Sequence, residues 1–497
     1  MPPRTMKVMS TAILAAIAIL LPLAGNLHRV AAAGAGKDDP AAKVAPATTT
    51  EKDQVDVAVT VYNSNIALVR DSRQIRLPSG SFPLRFEDVA ATINPVTVHF
   101  RSLTDAAKLS VLEQNYEYDL LDPQKLLHKY VGREITITRV GLKGEWEDSK
   151  ALLLADNNGP VWKIGDEIMT GLAIQSYKFP EIPGNLYSRP TLVWLLDNRG
   201  AAAQRVEASY LANNVSWNAD YVLTVGRDEK KADLDGWVTL TNNSGVAYNN
   251  AKLQLVAGDV HRTTQAVNGR VAMDMAAGAA MVKAAPQFQQ EGFGEYHLYT
   301  LERRTTMQND ESKQISLLTG TGVPVEKFLL VEPEPYYYRT SQGIGNPLKQ
   351  AVKVYYRFKN DEKSSLGMPL PGGTVRVYQA DSKGGTQFVG EDRIDHTPKD
   401  EQVKIYIGNA FDVICERKQM DYKKIASNVF EMEYEITLRN HKDSRTTVEV
   451  REPIGGDWEV LKSNYEWTKL DARAIGFSIP VEKDGTATLT YRVRVQW

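Results

Sequence analysis

The chain has 497 residues, 42% of them hydrophobic, with 59 Lys and Arg against 61 Asp and Glu for a formal charge of −2. That length and composition suit about three globular domains; the even charge excludes a generally basic nucleic-acid binder and an acidic disordered chain. A single cysteine, Cys415, excludes an intramolecular disulfide framework and a cysteine-based zinc site.

The first segment carries an address. Arg4 and Lys7 precede an apolar run from Val8 to Gly25, and Ala31, Ala32 and Ala33 follow. A positive start, an apolar centre and a small-residue site predict a signal peptide over residues 1–33, with cleavage after Ala33 or earlier at Gly25. An uncleaved anchor helix is the alternative, and Pro22 and the shortness of the run speak against it. Cleavage removes Arg4, Lys7 and Arg29 and no acid, so the mature chain is more acidic. No later run is long and apolar enough for a transmembrane helix. Residues 34–54, rich in Ala, Pro, Thr, Lys and Asp, read as a disordered linker.

From Val55 the texture is β. Val55 to Val61 alternates with period two, and the runs Ile75–Leu77, Pro83–Phe86, Val96–Arg101 and Leu109–Leu112 continue it, which predicts an N-terminal β domain over 55–115. A short helix follows, with Asp122 as cap, Pro123 in its first turn and Gly132 as its stop. Close strands at Glu134–Thr138, Ala151–Leu154 and Val161–Ile164, with the turn Asp156-Asn157-Asn158-Gly159, predict a small SH3-like or Sm-like barrel inserted over 116–180. Leu192–Leu196 opens a central β-sandwich over 190–330, interrupted by a flexible loop at 263–294 rich in Met, Ala, Gln and Gly. A short amphipathic helix in that loop is the sharper alternative. Glu332 to Tyr338 reads as an extended connector. Strands at Val352–Phe358, Thr374–Tyr378, Val403–Ile407, Glu431–Leu438, Thr446–Arg451 and Leu489–Trp497 predict a C-terminal β-sandwich over 331–497. The fold class is therefore all-β: tandem antiparallel β-sandwiches with a small inserted β-barrel, after an N-terminal signal peptide.

Several of these residues also carry a resemblance. Tyr210, then Trp217 and Tyr221, are followed by Trp237 to Asn242 and Ala251 to Leu255. Leu366 to Tyr378 with Pro371, Gly372 and Gly373, then Gly408 to Val413 and Gly456 to Trp458, complete the series. In this order they resemble the bacterial proteins grouped as domain of unknown function 4139, related to mucoidy-inhibitor-A-like proteins. The similarity covers roughly residues 190–497, with a weaker echo at 55–115. The mucoidy-inhibitor-like members carry a long helical coiled coil between their β regions, where 116–180 here reads as a small barrel. The resemblance implies β-sandwiches and a bacterial envelope location, and it transfers no catalytic residue.

The residues themselves offer little chemistry. His99, His128, His261, His297, His396 and His441 stand in no H-x-H or H-x-x-x-H spacing, so no local metal pair forms. Asp259 and His261 share one face of a strand and Asp395 and His396 are neighbours; these weak catalytic candidates read equally as surface histidines beside solvated acids. No nucleophile elbow, P-loop or dinucleotide fingerprint occurs. Asp233-Leu234-Asp235-Gly236 is a fragment of a calcium loop without its remaining ligands. Cys415, on a probable strand, reads as a buried inert thiol. No cofactor or metal is expected, and basic residues occur in runs of two at most, which disfavours nucleic acid.

The 22 Tyr and eight Trp suit recognition surfaces and β cores alike. The reading is an exported envelope protein, periplasmic before surface-bound or secreted, whose β-sandwiches bind a protein or glycan partner without catalysis. One alternative is an envelope hydrolase or carbohydrate-active enzyme whose site assembles only in space. The other is an outer-membrane β-barrel, suggested by Leu489, Tyr491, Val493, Val495 and Trp497 alternating to an aromatic end; short strands with charged outer faces disfavour it.

Overall fold

The computed structural model describes residues 46–117, 121–141, 144–183, 186, 187, 189–258, 260, 287–334, 341 and 343–497. They form an all-β molecule of six sheets. The period-two alternation explains most strands directly. In Val215–Val225, Val215, Trp217, Ala219, Tyr221, Leu223 and Val225 point inward and are buried, while the intervening residues remain partly exposed. Burying each large apolar side chain of this kind stabilises the fold by about 1.5–3 kcal/mol.

Chain order and sheet order diverge. Gln54–Tyr62 pairs with Ile66–Arg76 as a hairpin, but its other edge takes Tyr248–Ala257 in parallel, and Ile66–Arg76 takes Ala203–Asn213. Thr191–Asn198 likewise lies between Gly80–Glu87 and Leu109–Glu117 in a four-stranded sheet. Strands expected in an N-terminal domain over 55–115 therefore share their sheets with strands from beyond residue 190. The physical reason is that a lone hairpin leaves both edges unpaired, and distant strands satisfy them. The same happens at the next expected boundary. Val215–Val225 pairs in parallel with Gly373–Ala380, which brings Thr386–Ile394 into the sheet of Lys231–Asn242 and Glu311–Pro324.

The remaining large sheets form a sandwich. A six-stranded sheet runs in the order Gln402–Asn409, Lys353–Lys359, Glu326–Val331, Thr446–Pro453, Ala474–Val481 and Trp467–Asp471. Leu329, Val331, Val448, Val450, Ile475 and Ile479 of its inner face share a core with Val413, Cys415, Ile436, Leu438 and Leu489 of the facing five-stranded sheet. Farther along the same inner face, Tyr356, Phe358, Val403 and Ile405 belong to the core of the preceding sheets. One sheet thus spans both cores. The last strand, Thr486–Gln496, is paired on both sides, by Val429–Asn440 and Asp457–Ser463, and buries Leu489, Tyr491, Val493 and Val495. It is a sandwich strand.

Three expectations differ in detail. The insert is an open sheet, with Glu167–Thr170 and Ile174–Lys178 at its two edges and a core of Tyr130, Ile135, Ile137, Ala151, Leu153 and Trp162. It is not the closed barrel that its short strands suggested, because no ladder joins the edge strands. Its helix Pro123–Lys129 is as predicted: the Asp122 carboxylate accepts from the Gln124 and Lys125 backbone N–H groups at 2.9 Å each. Within the expected linker, Ala47–Thr49 forms a strand that adds in parallel to Gly80–Glu87. The loop expected over 263–294 gives way to strand Phe288–Phe293, paired with Tyr296–Leu301; residues 261–286 lie outside the described set. No helix among the described residues is long and apolar enough to cross a membrane.

Candidate binding groove

The residues singled out from the sequence divide into places that hold the fold together and places not described. Asp259 and His261 lie outside the described residues. Asp395 and His396 follow strand Thr386–Ile394, and no hydrogen bond joins their side chains. The His396 Nδ1 instead accepts the Gly372 backbone N–H at 3.0 Å, and the Asp395 carbonyl accepts from the Thr397 hydroxyl at 2.9 Å. An imidazole nitrogen that accepts is unprotonated there, so His396 acts as a turn acceptor.

Two of the motif segments, around Tyr221 and Pro371–Gly373, meet at the same spot, and the others lock strands elsewhere. The buried Tyr221 hydroxyl donates to the Pro371 carbonyl at 2.8 Å. At Gly373 a Cβ would stand 2.2 Å from the Ala219 carbonyl oxygen, so only glycine admits the parallel pairing of these strands. Trp217 donates its indole N–H to the Val256 carbonyl at 3.3 Å, and the Tyr210 hydroxyl accepts the Ala90 N–H at 3.4 Å. Trp237 is half-buried opposite Asp220, and Trp458 donates to the Ala472 carbonyl at 2.9 Å. These are locking contacts between strands far apart in sequence. Cys415 is buried with its thiol pushed up to about 12 by loss of hydration, and the Glu452 charge pushes the same way. A thiol so held is a poor nucleophile.

A surface with open chemistry lies elsewhere, on the outer face of the six-stranded sheet. There a groove of about 680 Å³ crosses the strands, lined by Phe328, Leu330, Arg357, Lys404, Arg451 and Leu470 among others. Phe328 on its floor is the end of a row set by register. Phe328 is paired with Tyr355, and Tyr355 with Tyr406, so three aromatic residues stand in a row across adjacent strands. The Phe328 and Tyr355 rings stack at 5.2 Å and 14°, and the Tyr355 and Tyr406 rings lie 5.3 Å apart.

Cations cover this floor. The Arg357 guanidinium lies 4.5 Å over Phe328, and the Lys404 ammonium 4.1 Å from Tyr355 and 5.2 Å from Phe328. That cover is why Phe328 and Leu330, on the outer face, are only 7% and 5% exposed. The two cations differ in their partners. Arg357 forks onto Glu326 at 2.8 and 2.6 Å and stands 3.3 Å from Glu449. These bonds hold the Glu326 carboxyl below its ordinary range. Arg451 lies 3.1 Å from Asp471 and 3.3 Å from Glu332. Lys404 has no carboxylate within ion-pair distance among the described residues. Loss of hydration pushes its ammonium down, Glu332 and Glu449 only partly offset this, and Arg451 and Lys353 add to it.

Sequence reasoning quoted Val352–Phe358 and Val403–Ile407 only as strands. The available signal was the parity of Lys353, Tyr355 and Arg357: three residues of one face, charged at both ends and aromatic between. Parity alone does not show which face closes the cores.

No curated protein matches the chain. Residues 206–455 match the family described as Domain of unknown function (DUF4139), and the match runs from Val206 on the sheet partner of Ile66–Arg76 to the edge of Asp457–Ser463. The chain belongs to that family of unknown function.

Proposed function

We propose that the protein is exported to the bacterial cell envelope and recognises a partner there, without catalysis, through the groove on the outer face of the six-stranded sheet. One observation carries the recognition reading: a groove walled by Phe328 and by a lysine that has no carboxylate at ion-pair distance among the described residues. Lys404 is exposed above the rings of Tyr355 and Phe328, so a negative charge on a ligand can reach it. The sheet below is rigid, since its inner face is packed into both cores, so the groove is preformed. Export is supported by the positive start, apolar run and alanine site of residues 1–33.

The test uses the full chain produced in bacteria with its own N-terminus. Fractionation and N-terminal sequencing should find a mature form in the envelope beginning near residue 34. A photo-crosslinking residue at Leu470, half-exposed at the groove, should trap envelope material. The same probe at Ile168 on the inserted sheet should not. Equal labelling at both positions, or a cytoplasmic unprocessed chain, ends the proposal.

A further inference from the structure

The groove runs across its strands rather than along them, and that direction restricts what it can hold. Its walls come from all six strands of the sheet. Between neighbouring strands the backbone N–H and C=O groups are spent in ladders, which leaves open only the outer edges of Gln402–Asn409 and Trp467–Asp471. A peptide bound to a sheet draws its main-chain hydrogen bonds from a free strand edge. A chain lying across the strands finds none and must be held by side chains alone. The side chains here offer two kinds of contact. The Arg357 pair with Glu326 and Glu449, and the Arg451 pair with Asp471 and Glu332, present donors and acceptors side by side in fixed planes. Leu470, half-exposed, adds an apolar patch beside them. Adjacent donor and acceptor pairs match vicinal hydroxyls, and apolar patches match the C–H faces of sugar rings.

Charge narrows the class further. The arginines of this face are matched by carboxylates, whereas Lys404 and Lys353 have no carboxylate within ion-pair distance among the described residues. A lone ammonium is a point charge suited to a single negative charge; a doubly charged phosphate calls for free guanidinium forks, and the described arginines of this face, Arg357 and Arg451, are both paired with carboxylates. Lys404 stands on Gln402–Asn409, an edge strand of the sheet, with its ammonium over the rings of Tyr355 and Phe328.

We propose that the groove binds an acidic oligosaccharide lengthwise across the sheet, with a sugar carboxylate on the Lys404 ammonium and a ring face on Leu470. The assignment rests on the groove being the recognition surface, and it adds the class of ligand.

Calorimetric titration of the mature full-length chain with galacturonate and glucuronate octasaccharides, their methyl esters, and a glutamate octapeptide tests it. At least one uronate octasaccharide should bind, and its methyl ester should bind at least tenfold more weakly. Lys404→Gln should lower affinity for the acid by the same factor and leave affinity for the ester unchanged, with thermal unfolding confirming that the variant is folded. Arg70→Gln, an exposed cation on the eight-stranded sheet, should bind as the parent does. Absence of binding by both uronates, equal binding of acid and ester, or equal binding of the glutamate octapeptide overturns the assignment. If Leu470 traps an envelope protein while both uronates fail, the recognition surface stands and the sugar falls. If Leu470 traps nothing and the uronates fail, both fall.

Discussion

Inside the C-terminal sandwich, Arg417 and Glu452 form a bidentate pair at 3.1 and 2.9 Å, exposed by 2% and 0%, and the Tyr491 hydroxyl donates to the same carboxylate at 2.9 Å. Removing one partner strands the other charge in an apolar core. Glu452→Ala should therefore cost about 3–5 kcal/mol in urea unfolding. The double replacement Arg417→Met with Glu452→Leu should cost clearly less than the single one, since no charge is left behind. Ion pairs nearer the surface set the acid limit. Hydrogen bonds from Arg492, Arg439 and Arg357 hold Asp421, Glu416 and Glu326 below their ordinary values of 3.8, 4.5 and 4.5. A carboxylate depressed in the folded state contributes stability that is whole above its unfolded value and is lost as pH falls through the folded one. Stability in urea should thus hold from neutral pH to about 5 and decline below about pH 4. Arg492→Gln should make that decline shallower.

The parallel junction of Val215–Val225 with Gly373–Ala380 is the element on which two of the motif segments converge. Gly373→Ala places a methyl carbon inside the contact distance of the Ala219 backbone, which cannot move without breaking the ladder. Insoluble expression, or a loss of several kcal/mol, is expected, measured by soluble yield and denaturant midpoint. Tyr221→Phe keeps the ring and leaves the Pro371 carbonyl without its donor, for an expected cost of about 1–3 kcal/mol. His396→Ala should cost less, because the Gly372 N–H it frees is near the surface and can turn to water. A His396→Ala variant that lost all ligand binding yet kept its stability would contradict the structural role given to this residue. The motifs were visible in the sequence as a series, but not that they touch: Tyr221 and Pro371 are brought together from 150 positions apart.

At the scale of the molecule, the inserted sheet is attached at one point. Glu117 and Thr191, the residues flanking it, are direct partners in the antiparallel ladder of Leu109–Glu117 and Thr191–Asn198. A two-residue turn can close such a pair. Replacing residues 118–190 by Asn-Gly should leave one cooperative thermal transition for the remainder, and the sugar titration unchanged. Loss of the folded state on excision would show that the insert supports the sheets it interrupts.

Much of this protein was legible in its residues alone. Alternating runs such as Val55 to Val61, the helix cap at Asp122 and the buried Cys415 follow from local rules, because strand faces and caps depend on neighbours a few positions apart. Sheet membership is not local. Gln54–Tyr62 beside Tyr248–Ala257, and Val215–Val225 beside Gly373–Ala380, depend on which edges remain unpaired once every hairpin has formed. The groove depends on that outcome. Lys353, Tyr355 and Arg357 alternate as any half-buried strand does, and the sequence determined only that they share a face. Only the tertiary structure decided that the opposite face closes both cores, and that Lys404 stands over the aromatic row without a carboxylate at ion-pair distance among the described residues.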